Sequence, residues 1–147
     1  MKKLYVFDLD GTLANIDHRL HLIKTEKPDW PSFYRSCVSD TQKQWVIDLL
    51  HLCRTQGEIL ILSGRSDEVE GYTRDWLKEK SVLYDYLVMR ESGDYSPDDK
   101  LKKIMLEEFL RDKDFSVQFI VDDRQRVVDM WRAKGYNVLQ CNAWKEN

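Results

Sequence analysis

The chain alternates between short apolar runs and longer amphipathic stretches. The short runs are rich in Val, Ile, Leu and aromatic residues, which is typical of strands buried on both faces of a sheet. They lie at residues 4–7, 59–62, 86–89, 117–121 and 137–139. The stretches between them repeat apolar residues at helical spacing: Trp45, Leu49, Leu50 and Cys53, then Val69, Tyr72, Trp76 and Leu77, then Leu101, Met105, Phe109 and Leu110, then Val127, Val128 and Trp131. Because parallel strands need crossover connections, this alternation predicts an α/β fold, a Rossmann-like three-layer sandwich with a mostly parallel five-stranded sheet.

One segment, from about residue 15 to residue 40, interrupts the alternation. It contains Lys27-Pro28-Asp29-Trp30-Pro31 and has no clean period. We interpret it as an insertion over the sheet edge after the first strand, either a small cap or a substrate loop. Since the chain contains no internal repeat and no linker rich in Gly or Ser, residues 1–147 are predicted to form a single domain.

Composition and charge narrow the class of protein. The 147 residues are 42% hydrophobic and 33% charged, as in ordinary globular proteins. A net charge of -3 and a pI of about 5.6 argue against a broad basic surface that would bind long duplexes. The first residues run straight into an apolar strand and no apolar stretch approaches the length of a membrane span. We therefore expect a cytoplasmic protein with no leader and no membrane contact.

Two sequence signals that would change this view are missing. The cysteines, Cys37, Cys53 and Cys141, are far apart and lack CxxC spacing, which predicts free thiols rather than a disulfide framework or a zinc site. No GxxxxGK[ST] loop occurs, so the sequence carries no nucleotide-binding kinase module.

Polar groups follow the predicted strands at the edge where open parallel sheets bind ligands. The first strand ends in Asp8-Leu9-Asp10-Gly11-Thr12, the second in Ser63-Gly64-Arg65 and the fourth in Asp122-Asp123-Arg124, and the third amphipathic stretch begins with Asp98-Asp99-Lys100-Leu101-Lys102. Carboxylates from neighbouring strands would repel one another, and Mg²⁺, which prefers oxygen ligands, would relieve that repulsion. Ser63 and one or both lysines would supply the donors and the positive charge that phosphate oxygens require.

Each of these groups also has a purely structural interpretation. Asp-x-Asp-Gly-Thr could form a turn, and Ser63 or Asp67 could cap the following helix. Asp98 is a natural N-cap for its own helix, and the pair Asp122-Asp123 could cap the helix that starts near Arg124. Two adjacent buried acids are costly, however, unless they are paired or bind a metal. Together and in this order, the four groups favour a functional site.

The same residues resemble the haloacid dehalogenase-like superfamily, whose motifs are DxDx[TV], a Ser or Thr after strand two, a Lys, and a pair of acids. A narrower resemblance covers nearly the whole chain and is to the 3'-phosphatase domain of phage-type polynucleotide kinase/phosphatase. The residues that carry it are Arg19, Asp40, Ser63-Gly64-Arg65, Arg90-Glu91-Ser92-Gly93-Asp94, Asp98-Asp99 and the segment 121–132. Aligned on Asp98-Asp99, the lysine of motif three falls on Lys102 rather than Lys100.

The resemblance implies a Mg²⁺-dependent phosphomonoesterase that removes a 3'-phosphate from nucleic acid ends or nucleotides. Asp8 would attack phosphorus and form an aspartyl-phosphate, while Asp10 would protonate the leaving hydroxyl and then activate water. Mg²⁺ would be held by the Asp8 carboxylate, the Asp10 backbone carbonyl and one of Asp122 and Asp123. The remaining residues divide into a phosphate-binding group, Thr12, Ser63, Gly64 and Lys102, and a substrate-binding group, Arg19, Arg65, Arg90 and Asp98.

Further expectations concern orientation and stacking. Thr12 should orient Asp10, and the negative charge of the neighbouring carboxylate and of the phosphate should raise the pKa of Asp10. The aromatic residues of the insertion, Trp30, Phe33 and Tyr34, would either pack it against the sheet, which we favour, or form a base-stacking platform.

Two other functions fit part of the pattern. A nucleotidase or general small-molecule phosphatase of the same superfamily is favoured by the acidic pI. A receiver-like phospho-binding module would also combine acids, a hydroxyl and a lysine on a parallel sheet. Here, however, the third strand ends in Met89-Arg90-Glu91, where a receiver carries its phosphorylated Asp. Because the chain has no kinase sequence, a separate kinase or ligase is a candidate partner.

Overall fold

The structure, a computed structural model, describes residues 1–144. Its centre is a five-stranded sheet in which every neighbouring pair is parallel, in the order β5-β4-β1-β6-β7. The strands are β1 (Lys2–Phe7), β4 (Glu58–Ser66), β5 (Tyr86–Arg90), β6 (Phe115–Arg124) and β7 (Val138–Trp144), and two short strands, β2 (Ala14–Asn15) and β3 (Thr41–Gln42), form a separate antiparallel pair. All five predicted strands are therefore present, and the predicted parallel α/β sheet is confirmed.

The apolar strands have this composition because successive side chains enter opposite faces of a covered sheet. In β1, Leu4 and Val6 belong to one core cluster, whereas Tyr5 and Phe7 belong to the other. The helices are α1 (Trp30–Arg35), α2 (Gln44–Arg54), α3 (Glu70–Glu79), α4 (Asp98–Leu110) and α5 (Gln125–Ala133). Buried residues of α2 and α3 complete the core on the Phe7 face, and those of α4 and α5 complete the core on the Leu4 face. These are the three predicted layers.

Helix α2 corrects one detail of the apolar pattern. The helical repeat predicts that Trp45 lies on the apolar face, but Trp45 is 59% exposed. The buried face instead carries Val46, Ile47, Leu50 and Cys53. Three consecutive apolar residues at the start of α2, Trp45, Val46 and Ile47, make two helical phases possible, and the observed phase turns the aliphatic residues toward β1 and β4.

The segment between β2 and β3 forms the predicted insertion. It contains a 3-10 helix at Asp17–Leu22, then α1, then a second 3-10 turn at Ser36–Ser39. Asp29 caps α1 by accepting a hydrogen bond from the Ser32 backbone at 3.1 Å. The apolar side chains of the insertion pack on the core of the Phe7 face; they are Ile16, Leu20, Leu22, Ile23, Phe33 and Tyr34. The insertion therefore lies beside the carboxyl end of β1. No helix within residues 1–144 is long and apolar enough to cross a membrane.

Candidate active site

The loop that leaves β1 brings two carboxylates to the edge of the sheet. The Asp8 backbone N–H donates to the Val121 carbonyl at 2.9 Å, and the backbones of Leu13 and Ala14 both donate to the Leu9 carbonyl, which closes a tight turn. Gly11 sits in this turn with φ of +82°, and a Cβ there would lie 2.0 Å from a carboxylate oxygen of Asp123. The turn therefore allows the loop from β1 and the end of β6 to meet.

Asp8, Asp122 and Asp123 form a buried triad whose candidate ligand oxygens all lie within 4.8 Å of one another. Burial and the negative charge of Asp122 raise the pKa of Asp8 well above its ordinary value. The same two causes raise the pKa of Asp123 to about 7. This arrangement is unfavourable without a positive charge between the carboxylates. Residues from β1 and β6, 114 positions apart, thus meet as the sequence order predicted.

Lys102 of α4 is the lysine of this cluster. Its Nζ donates to Asp8 at 2.8 Å and to Asp122 at 3.1 Å, and the side chain is only 2% exposed. Burial alone would lower the pKa of Lys102, but the carboxylates of Asp122 and Asp8 raise it well above the usual value. Lys100 is exposed and belongs to the outer face of the helix. One lysine against three carboxylates leaves an excess of negative charge that suits a divalent cation.

Thr12, Ser63 and Gly64 lie near the triad, and each has a distinct contact. Thr12 Oγ1 donates to Asp8 at 3.0 Å, so the expectation that Thr12 orients Asp10 is wrong, because the tight turn directs its hydroxyl back toward Asp8. Ser63 is buried at the end of β4, where its oxygen accepts from the Arg65 backbone at 3.0 Å. A Cβ on Gly64 would lie 2.0 Å from an oxygen of Asp98.

Asp98 is the first residue of α4, and its carboxylate forms ion pairs with basic side chains instead of capping the helix. The helix has no side-chain cap, and the Asp98 carboxylate lies 3.5 Å from Arg90, 3.8 Å from Lys102 and 3.7 Å from Arg124. Arg90 also donates to the carbonyls of Gly64, Asp94 and Ser96, at 2.7, 3.0 and 2.8 Å. Arg90 thereby ties the end of β4 to the loop before α4 while it lines the pocket. The N-cap interpretation of Asp98 is therefore wrong, and its role toward substrate stays a prediction.

Asp10 is bound by two buried arginines. Arg19 donates to Asp10 Oδ1 at 2.8 Å, and Arg65 donates to the same oxygen. Burial would raise the pKa of Asp10, but the Arg65 and Arg19 guanidiniums outweigh it and lower the pKa to about 2. The expected effect of a neighbouring carboxylate on Asp10 is therefore wrong, because the side chains that bind Asp10 are positively charged. Within residues 1–144 nothing donates a hydrogen bond to Asp10 Oδ2.

Asp40 accepts hydrogen bonds from both arginines. Arg19 donates to both oxygens of Asp40, at 2.8 and 2.7 Å, and Arg65 Nη2 donates at 3.4 Å. His18 lies 2.6 Å from the same carboxylate. Arg19 and Arg65 are therefore buried rather than spread on a solvated face, and only Arg65 reaches the pocket wall. Among residues 1–144, Arg65 Nε has no hydrogen-bond partner, which leaves it one donor.

Three residues that contact the site were not among the predicted site residues. His18 contacts Asp40, Trp76 donates to the Asp40 backbone at 2.9 Å, and Trp131 donates to Asp122 at 3.4 Å. Both tryptophans fit the apolar helical repeat, which conceals the hydrogen-bonding role of their indole N–H groups. An indole N–H on the buried face of a helix needs a partner, which is the one clue that was available.

A pocket opens over these groups, between the sheet edge and the insertion. Four carboxylates line it, those of Asp8, Asp10, Asp122 and Asp123, and we call them its floor. The other lining residues fall into two groups: a polar wall from the sheet edge and α4, with Gly64, Arg65, Arg90, Asp98 and Arg124, and an apolar wall from the insertion, with Ile16, Ile23, Trp30, Phe33 and Tyr34. The pocket therefore offers charged groups at its base and an aromatic surface at one side.

Comparison with known proteins agrees with this geometry. Residues 2–144 match the family model described as polynucleotide kinase PNKP, phosphatase domain. Two solved structures of a Pnkp1/Rnl/Hen1 RNA repair complex superpose on 97% of this chain, at 32% and 31% identity and TM-scores of 0.81 and 0.82. A haloacid dehalogenase-like hydrolase from Streptococcus pneumoniae shares the fold at 15% identity and a TM-score of 0.59, over 95% of this chain and 84% of its own.

A curated relative extends the similarity to a virus. It is a protein of Autographa californica nuclear polyhedrosis virus, described as a bifunctional polynucleotide kinase/RNA ligase, and is 29% identical over 127 residues, or 85% of this chain. The chain spans 17% of that protein, and 43% and 47% of the two chains in the RNA repair complex. The relatives therefore carry this unit inside longer chains. The family match favours a phosphatase over the receiver-like module.

Proposed function

Since the chain belongs to the polynucleotide kinase PNKP phosphatase-domain family, we propose that it is a Mg²⁺-dependent phosphatase acting on the 3'-phosphate of nucleic acid ends. The observation that carries the proposal is the buried triad of Asp8, Asp122 and Asp123, with Lys102, at the base of a pocket. Residues 1–147 would act as one domain, with the segment from about 15 to 40 as an insertion over the site.

The donor set fits Mg²⁺. All three side chains offer oxygen, and three buried carboxylates exceed the charge that Lys102 neutralises. Asp122 already accepts hydrogen bonds from Lys102 and Trp131, whereas no side-chain nitrogen of residues 1–144 donates to the Asp123 carboxylate. We therefore assign Asp123 as the direct ligand, together with Asp8 and the Asp10 backbone carbonyl. Bound Mg²⁺ would neutralise charge on the phosphate oxygens.

The side chains of Asp8 and Asp10 would divide the chemistry. Thr12 and Lys102 each bind one oxygen of Asp8 and so orient the carboxylate. Asp8 attacks phosphorus, the P–O bond to the 3'-oxygen breaks, and Asp10 gives that oxygen a proton. Water then attacks the aspartyl-phosphate, Asp10 takes its proton, and inorganic phosphate leaves. Ser63, Gly64 and Lys102 would stabilise the phosphate oxygens in both steps.

Asp10 must gain a proton before it can act as an acid. Arg19 and Arg65 both bind Oδ1, which leaves Oδ2 as the oxygen for the substrate. The negative charge of a bound phosphate would raise the pKa of Asp10 from about 2, so protonation would accompany binding. Arg65, Arg90 and Asp98 line the polar wall and would bind the nucleotide there. Arg19 would act mainly through Asp10.

The test compares phosphate release from an oligonucleotide with a 3'-phosphate, the same oligonucleotide with a 5'-phosphate, and free mononucleotides. We expect release from the 3'-phosphate only, and its loss when EDTA removes Mg²⁺. Asp8→Asn, which is nearly isosteric but lacks the nucleophilic charge, should reduce the rate to background while the circular dichroism spectrum is unchanged.

Other outcomes of this comparison separate the competing functions. Preference for mononucleotides would indicate a nucleotidase, the alternative that the net charge of -3 favours. Turnover by the Asp8→Asn protein would contradict the covalent route. Testing each substrate in an RNA and a DNA version shows which of the two nucleic acids the protein prefers.

The length of the relatives bears on possible partners. The viral relative is described as a kinase and ligase, and the solved relatives belong to an RNA repair complex. Removal of a 3'-phosphate leaves a 3'-hydroxyl, which a ligase joins only to a 5'-phosphate. We therefore propose that a kinase and a ligase, in this protein or as separate partners, act on the same strand ends.

A further inference from the structure

The apolar wall of the pocket is formed entirely by the insertion, and its aromatic residues differ in their surroundings. Phe33 is 3% exposed and lies beneath Arg19, whose guanidinium carbon is 4.3 Å from the ring centroid. The expectation that the insertion packs on the sheet through its aromatics is met by this residue. Trp30 also borders the pocket, yet 42% of its surface is exposed. Trp30 therefore has indole surface left over after packing.

Trp30 is fixed rather than loose. Its ring centroid lies 5.6 Å from that of Phe33, edge to face, and 5.9 Å from that of Tyr34, at an interplanar angle of 32°. It is the first residue of α1, which Asp29 caps and Pro31 stiffens. A rigid aromatic ring at a pocket wall loses little conformational entropy when a second flat ring contacts it.

The position of this wall relative to the triad limits what can contact it. A phosphate placed for attack by Asp8 would lie at the pocket floor, and the group esterified to it would extend toward the other residues that line the pocket. The polar wall of the same pocket is charged, with Arg65, Arg90, Asp98 and Arg124. A nucleoside has a polar sugar and a flat aromatic base, so its two halves match the two walls.

We propose that the base of the 3'-terminal nucleotide stacks on Trp30, with Tyr34 completing the aromatic wall. This inference rests on the proposed function and adds the group that the enzyme recognises besides the phosphate. Stacking uses the face that all bases share, so it gives affinity for a terminal nucleotide without selecting its sequence.

The experiment uses two trinucleotides that carry a 3'-phosphate and differ only in their last residue, which has either a base or an abasic tetrahydrofuran. For the unmodified protein with Mg²⁺, we expect kcat/KM to be about tenfold higher with the base, the size of a typical aromatic–base contact. Trp30→Ala should remove that difference by lowering the value for the base-bearing substrate, and it should change the abasic value by less than about twofold. The abasic rate thus serves as the check that the variant is folded.

Three further variants distinguish stacking on an aromatic ring from the effect of side-chain volume alone. Trp30→Phe keeps an aromatic face and should retain most of the preference for the base. Trp30→Leu keeps apolar volume without that face and should lose the preference. Trp45→Ala removes another exposed tryptophan, 59% exposed and outside the pocket lining, and should leave both rates unchanged.

Two results would overturn the inference in distinguishable ways. If the unmodified protein hydrolyses both trinucleotides at equal rates, or Trp30→Leu keeps the full preference, stacking on Trp30 is wrong and the phosphatase function stands. If neither trinucleotide loses its phosphate under conditions where another phosphate ester does, the proposed function fails and the stacking fails with it.

Discussion

Asp40 lies at the centre of the buried charges beside the pocket, although it does not line the pocket itself. It is 3% exposed and accepts hydrogen bonds from Arg19 and Arg65, while Arg19 and Arg65 also share Asp10. Two buried guanidiniums are thus balanced by two carboxylates. Removing one carboxylate leaves an uncompensated buried charge, which is more costly than losing the whole cluster.

Asp40→Asn should therefore destabilise the protein strongly. We expect a loss of about 3 to 5 kcal/mol in the free energy of unfolding, measured by urea denaturation at pH 7. The matched control is Asp75→Asn on the exposed face of α3, which should change stability by less than about 0.5 kcal/mol. Equal effects of the two substitutions would show that Asp40 does not balance the arginines.

At the scale of elements, the turn between α2 and β4 depends on a close backbone approach. A Cβ on Gly57 would lie 2.4 Å from the carbonyl oxygen of Lys3 in the neighbouring strand. Gly57→Ala should therefore displace β4 from β1 and cost about 1 to 3 kcal/mol. Gly71→Ala in α3 is the control, because no atom lies within 4 Å of its Cβ position, and it should stabilise by up to about 1 kcal/mol. Thermal unfolding of both variants checks this, and a neutral Gly57→Ala would contradict it.

The elements also differ in how well the sequence predicts them. The strands and the four longer helices were predictable, because a sheet covered on both faces demands apolar runs and amphipathic crossovers. The insertion was located but its structure was not, since α1 has six residues and the 3-10 segments are equally short, which is too little for a helical period. For the same reason, the contacts of Arg19 and Asp40 could not be read from the sequence. The approach of Asp8 to Asp122 and Asp123 could be, because parallel strands end at one edge.

For the whole molecule, the triad links stability to pH and to metal. The pKa of Asp123 is about 7 in the folded protein, against about 3.9 for an unfolded aspartate. A raised pKa means that the folded state holds the proton more tightly. This group therefore contributes stability that is complete below about pH 4 and is lost as the pH rises toward 7. A bound Mg²⁺ requires the deprotonated carboxylate and acts in the opposite sense.

We therefore expect Mg²⁺ to stabilise the protein more at pH 7.5 than at pH 5.5. At a concentration one hundred times the dissociation constant, the gain at the higher pH should be about 2.7 kcal/mol, and at the lower pH proton competition should remove most of it. The measurement is the difference in melting temperature between Mg²⁺ and EDTA at each pH, which cancels the titration of groups far from the site. Asp123→Asn should abolish the difference at both pH values and raise the metal-free stability at pH 7.5, because it removes a buried like charge. Equal stabilisation by Mg²⁺ at the two pH values would place the cation away from this carboxylate, where its binding would not compete with the proton on Asp123.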